Sequence, residues 1–185
     1  MTTRNQELDV IRFDTPKGEV QLSVQDVRTS LAPKASESEI RVFLKVCMYT
    51  GLNPWLRQIY LIKYDQQAAA SIVIGKDAFL QKAEANPAYD GFRAGIMVDR
   101  NGAIIEREGA FAFPGDTLVG GWAEVRRKDR TLPLKVIVAL KEYDKGQSLW
   151  KTMQATMIRK VALVQAHREA LPEAFGMFRE AEAAA

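Results

Sequence analysis

The chain holds one cysteine and one histidine in 185 residues. Cys47 alone excludes an intramolecular disulfide and any cysteine-cluster metal site. It has no acid, base or second thiol beside it in the sequence and is read as core packing. With His167 as the single histidine, most zinc and Ser/His/Asp options also fall away. Neither G-x-x-x-x-G-K-[ST] nor G-x-G-x-x-G occurs, which argues against an ATP-driven machine, because such phosphate-cradling loops are hard to replace. No apolar run is long enough to cross a bilayer, and the opening MTTRNQELDV lacks a signal peptide's apolar stretch, so a cytoplasmic location is expected. No repeat of fixed period or low-complexity tract occurs. Carboxylate clusters are also scarce. Glu106 and Glu108 share a strand face with Arg107 between them but lack a third ligand, and an exposed strand surface explains them better than a metal pair. Glu124 near Arg126 resembles half of a nuclease acid-and-base pair, without the second acid. Catalysis is therefore not expected, and no cofactor or metal is expected either.

What the chain does have is a lopsided charge distribution. Its net charge is +3, yet between Arg126 and Arg168 eleven Lys/Arg face three acids, a local +8 that leaves −5 for the rest. Such asymmetry suits a polyanion partner, and a merely solvated surface is the alternative. The stretch WKTMQATMIRKVALVQAHR (150–168) concentrates the pattern, with Lys151, Arg159, Lys160 and Arg168 and no acid, glycine or proline. At 100° per residue Met153, Met157, Val161 and Val164 form one stripe of an amphipathic helix. Ala155, Ala162 and Ala166 lie on a second face with Arg159, and small side chains there would leave room for a bulky anion. Arg168 projects within the apolar stripe, where its charge needs a partner or a wet groove.

Taken in order, residues 1–20 read as a polar arm, and 22–31 as a short helix ending before Pro33. Ser36 to Glu39 is a capping box for a helix that buries Ile40, Phe43, Leu44 and Cys47 and stops at Gly51. The turn Leu52-Asn53-Pro54-Trp55 leads into strands at 58–64 and 69–74. A helix from Lys76 ends before Pro87, and its free amides beside Lys76 could meet a phosphate. Strands follow at about 92–98, 103–113, 117–127 and 133–142, with turns at Asn101-Gly102 and Pro114-Gly115 and a basic hairpin over 126–130. Tyr60, Tyr64, Trp122 and Trp150 are candidate stacking faces, though core packing is the commoner role for such residues.

GLNPWLRQIYLIKY, the VIGKDAF…ANPAYDGF run, the VRRKDR-x-x-P hairpin and W-x-x-x-x-x-x-M-I-R-K…Q-A-x-R occur in this order between about residue 40 and residue 179. Together they resemble the RecT/Redβ family of phage single-strand annealing proteins, and the RecT branch more closely. The resemblance implies ATP-independent coating of single-stranded DNA, pairing of complementary strands, and assembly into rings or helical filaments in a bacterial host cell. It also implies DNA-facing roles for Arg57, Lys128, Arg159 and Arg168. Charge and position add Lys76, Arg126, Arg127, Lys151 and Lys160. Ala155 and Thr156 replace basic residues of the Redβ pattern, so some phosphate contacts must differ.

The expected fold is α+β, an antiparallel meander packed on a long C-terminal helix with helices before it. The expected division is an N-terminal arm and short helix over 1–34, a DNA-binding and oligomerisation core over 35–179, and a tail over 180–185. Family members usually carry a further C-terminal domain for a 5'-3' exonuclease and the host single-strand binding protein, and docking of that kind is expected to be absent here. Two other classes stay open: a metal-dependent nuclease of recombination or repair using Glu106, Glu108 or Glu124, and a structural oligomer with an accidental basic face.

Overall fold

The computed structural model describes residues 9–172 apart from positions 16, 64 and 148. The chain divides into two compact units that meet in sequence at Ala78 and Phe79.

The N-terminal unit opens on a hairpin, where a loosely held polar arm was expected. Strand β1 (Val10–Thr15) pairs antiparallel with β2 (Gly18–Ser23), from Val10 opposite Ser23 to Thr15 opposite Gly18. Ile11, Phe13, Val20 and Leu22 alternate inward and are buried, a period of two that each short strand shows only twice. Leu22 therefore belongs to a strand, and the helical stretch starts later. Ser23 and Asp26 form a capping box for α1 (Val24–Asp26), which runs into a π-helical turn over Val27–Leu31. The helix α2 (Glu37–Thr50) matches its expected form. Ser36 and Glu39 cap it reciprocally, Ile40, Phe43, Leu44 and Cys47 are buried, and Gly51 ends it at φ 66°. Each such buried apolar side chain stabilises by about 1.5–3 kcal/mol. Burial also pushes the Cys47 thiol up to about 12, which leaves it protonated and suits a packing role. Strands β3 (Ile59–Ile62) and β4 (Ser71–Ile74) then pair antiparallel, as expected.

The Glu39 carboxylate does more than cap α2. It accepts hydrogen bonds from the Ala70 amide at 2.8 Å and from Lys63 Nζ at 3.0 Å, and so ties the helix to both arms of the β3–β4 hairpin.

Helix α3 (Lys76–Glu84) leads into the C-terminal unit, a four-stranded antiparallel sheet in the order β6-β5-β7-β8. Its strands are β5 (Tyr89–Arg100), β6 (Ala103–Glu108), β7 (Thr117–Arg127) and β8 (Leu134–Ala139). The β5–β6 turn is Asn101-Gly102, both at positive φ, as a tight hairpin requires. Strand β6 ends five residues before its expected limit, and a loop over 109–116 replaces its second half. Two short helices, α4 (Leu140–Tyr143) and α5 (Leu149–Thr152), precede the long α6 (Gln154–Ala170).

Ala94, Ile96 and Val98 of β5, Ala123 and Val125 of β7 and Val136 and Val138 of β8 make the sheet's buried face, on which α6 packs. Helix and strand approach backbone to backbone at Gly121, where an added Cβ would lie 2.5 Å from the Ile158 carbonyl oxygen. Two expectations for this segment are corrected. The helix is interrupted at Met153 (φ −137°, ψ 40°), which leaves that side chain exposed and outside the buried stripe of Met157, Val161 and Val164. Ala162 and Ala166 are fully buried, so the small face serves close packing and leaves no room for an anion.

Candidate nucleic-acid interface

The basic hairpin is the turn from β7 to β8. The Lys128 amide donates to the Ala88 carbonyl at 2.7 Å and fixes where the turn begins. Arg126, Lys128 and Arg130 are exposed there, with Arg126 Nε 3.2 Å from Glu124 Oε1. Arg127, expected to face DNA, is engaged within the chain instead. Its guanidinium bonds both Asp129 oxygens at 2.8 and 2.7 Å and donates to the Ala170 carbonyl at 2.7 Å. That last bond satisfies one of the four carbonyls left free at a helix C-terminus. Arg127 is thus a clamp between the end of β7 and the end of α6.

The clamp also sets the direction of the helix. With Ile158 over Gly121 and Ala170 beside Arg127, α6 runs alongside β7 in the same sense. Arg168 therefore comes to the end of the unit that carries the basic turn. Arg159 and Lys160 lie nearer the helix start, and Lys151 is exposed on α5. The nine-residue step from Arg159 to Arg168 turns the helix through about 180° beyond whole turns, so these arginines occupy opposite sides of α6. Arg159 Nε donates to the Ala94 carbonyl of β5 at 3.2 Å. Lys160 and Arg168 are half-buried and also engage other groups.

Sequence reasoning missed two cations on the sheet face opposite α6, Arg93 and Lys135. Both stand in register with Glu124, on either side of it. Trp122 lies flat on this face across Gly95, where an added Cβ would meet its indole nitrogen at 2.7 Å, and its Nε1 donates to the Arg107 carbonyl at 3.3 Å. The Arg93 guanidinium and Lys135 ammonium lie 5.9 and 5.1 Å from the ring, leaving Trp122 only 4% exposed. Its stacking surface is taken, and Trp150 is buried outright. The acids once considered for a metal are ion-paired here: Glu106 with Lys135, Glu108 with Arg93, Glu124 with Arg126. Hydrogen bonds from Arg93 and its charge hold the Glu108 carboxyl below the usual range, with a smaller contribution from Arg159. Among the described residues no group of His, Cys, Asp or Glu could hold a metal ion.

At the end of the β6–β7 connection, Asp116 organises the 109–116 loop. Its side chain is inaccessible and accepts from the Phe113 amide at 3.0 Å, Arg100 Nε at 2.7 Å and Arg107 Nε at 3.3 Å. Burial raises its pKa, but the Phe113 amide and the two guanidiniums outweigh this and hold it below the usual value. The loop keeps Phe111 and Phe113 exposed, edge to face at 4.9 Å.

In the N-terminal unit Arg57 follows the turn Pro54–Leu56 and sits exposed at φ 57°, a left-handed conformation that costs a non-glycine residue about 1–2 kcal/mol. Asn53 builds this turn, its Oδ1 accepting from the Trp55 amide at 2.9 Å while its own amide donates to Gln58 Oε1 at 2.8 Å. Trp55 and Tyr60 are 46% and 37% exposed beside Arg57. Tyr64 lies outside the described residues. Lys76, at the start of α3, forms an ion pair with Asp77, which weakens it as a phosphate ligand.

The described residues contain no helix long and apolar enough to cross a membrane. A search of curated proteins gives no match. The RecT family model matches residues 17–185, nearly the whole chain. That family carries out phage-type single-strand annealing in DNA recombination, and the α+β architecture with its closing helix is the one the motifs implied. On this match the chain belongs to the RecT family.

Proposed function

We propose that the chain binds single-stranded DNA and anneals complementary strands without ATP, acting as a ring or helical oligomer. The observation that carries this reading is the basic end of the C-terminal unit. Arg126, Lys128 and Arg130 are exposed on the turn, and the Arg127 clamp brings the end of α6, with Arg168, to the same place. Cations fixed on a sheet-and-helix frame neutralise phosphates without reading bases, so specificity falls to the second strand. Arg159, Lys160 and Lys151 in this unit, and Arg57 and Lys76 in the N-terminal unit, remain candidate contacts. Arg159 and Arg168 stand on opposite sides of α6, so a single straight trench along the helix does not hold both. A head-to-tail contact between the acidic and basic parts of neighbouring chains would generate the oligomer.

The test is annealing of complementary oligonucleotides beside salt-titrated binding. Single-strand affinity should fall with salt with a slope near −0.7 per neutralised phosphate, and each lost contact should reduce it by about 0.7. Arg159→Ala and Arg168→Ala should lower annealing much more than melting temperature. Annealing that survives both substitutions refutes the helix assignment. Incubation of labelled DNA with magnesium or manganese separates this reading from a nuclease.

A further inference from the structure

The N-terminal unit has a groove of about 620 Å³ between residues 30–35 and 54–63, within the roughly 300–1,000 Å³ of ligand pockets. Its inner surface is apolar, from Leu31, Phe43, Ile59 and Leu61. Trp55 and Tyr60 also line it, and both keep large parts of their rings in water. Three cations and no carboxylate complete the lining. Lys63 is covered and matched by Glu39. Lys34 and Arg57 are exposed, and neither has a carboxylate partner among the described residues. The groove thus sets two wet aromatic rings beside two unmatched positive charges. A ligand complementary to both is a flat ring with an anionic linkage next to it. An aliphatic anion would leave the rings unused, and a neutral apolar ligand would leave the charges unused.

We infer that this groove holds one unpaired nucleobase of the bound strand against Trp55 and Tyr60, with the flanking phosphates on Lys34 and Arg57. The inference rests on the single-strand DNA reading above. A base held this way cannot pair, so annealing must draw it out, and the groove favours single strands over paired ones. Stacking on protein aromatics contributes about 5- to 150-fold in affinity per base.

The test compares an oligothymidine with a strand of equal length made of abasic sugar-phosphate units, using the full chain at fixed salt. The wild-type protein should prefer the base-bearing strand at least fivefold. In a Trp55→Ala/Tyr60→Ala double variant that preference should fall toward one, with the salt slope unchanged. A Trp55→Phe/Tyr60→Phe variant should recover much of it, which separates lost stacking from lost folding. Iododeoxyuridine in the oligonucleotide should photocrosslink to Trp55 or Tyr60. If the alanine variant keeps the full preference and crosslinks map elsewhere, the inference is overturned while the DNA reading stands. If the wild-type protein binds neither strand, both fall.

Discussion

Tyr89 Oη lies 3.1 Å from His167 Nε2, and on the other side of the same ring Nδ1 lies 2.8 Å from the Leu163 carbonyl. A carbonyl only accepts, so Nδ1 carries the proton and Nε2 accepts from the tyrosine. Phe92 meets the ring edge-on at 5.3 Å. The chain's single histidine is therefore a neutral, fully satisfied core residue that fastens β5 to α6, and its chemistry is that of packing.

Removing the donor isolates that bond. Tyr89→Phe keeps the ring and leaves a buried acceptor unpaired, which costs about 1–3 kcal/mol. The urea midpoint should drop accordingly with the denaturant slope unchanged, while salt-dependent DNA binding of the folded protein stays the same.

The same residue gives stability a pH dependence. Burial pushes the His167 imidazole below its ordinary value, against smaller opposing effects of the Leu163 carbonyl and Glu84. The unfolded chain takes up this proton near pH 6.5, and the folded chain only at lower pH. Between those values the unfolded state binds more protons, so the contribution is complete above about pH 6.5 and declines as pH falls through the folded value. Urea titrations from pH 8 to pH 5 should show this loss, and His167→Gln should flatten it.

A carboxylate makes part of the N-terminal unit's stability acid-sensitive. Glu39 is lowered to about 2, chiefly by the Ser36 amide and then by the Ala70 amide and Lys63. A glutamate in the unfolded chain takes up its proton near pH 4.3. The stability Glu39 gives is present above that pH and lost as pH falls toward about 2. Glu39→Ala should lower the melting temperature at pH 7 and remove this part of the acid transition.

Much of this fold is legible in the residues. The capping box at Ser36, the stop at Gly51 and the Asn101-Gly102 turn are local chemistry, and each appears where its spacing puts it. The first hairpin is hidden because Arg12 and Asp14 dilute two short apolar alternations. The site is harder to read, since a cation's sequence position does not say what it meets. Arg126 and Arg127 are neighbours, yet the strand's alternation points one at Glu124 and turns the other to the Ala170 carbonyl. Trp122 offers no free ring because Gly95, two pairings away from Arg93's own partner Glu124, lets the indole lie flat. These are facts of register, visible only once the strands are paired.

Gly121 tests how closely the helix must approach. Its missing side chain lets the Ile158 carbonyl come within 2.5 Å of where a Cβ would stand, and that atom is backbone. Gly121→Ala must therefore lift α6 from β7, an overpacking that costs about 1–3 kcal/mol. Melting temperature should fall, and annealing should fall with it if the cations of α6 act from their present positions.

The adjacent arginines at the end of β7 should separate grip from architecture. Arg127→Ala deletes the bonds to Asp129 and leaves the Ala170 carbonyl without its charged donor. A hydrogen bond to a charged group contributes about 1.5–3 kcal/mol, so this variant should unfold at a lower urea concentration. Arg126 is more exposed, its ion pair with Glu124 is a surface one, and Lys128 has no ion pair among the described residues. Such groups contribute about 0–1 kcal/mol to stability. Arg126→Ala and Lys128→Ala should therefore leave the urea midpoint nearly unchanged while each lowers the salt slope of single-strand binding by about 0.7. The opposite outcome, a reduced slope for Arg127→Ala with stability intact, would mean that the clamp opens when DNA arrives and that Arg127 trades the Ala170 carbonyl for a phosphate.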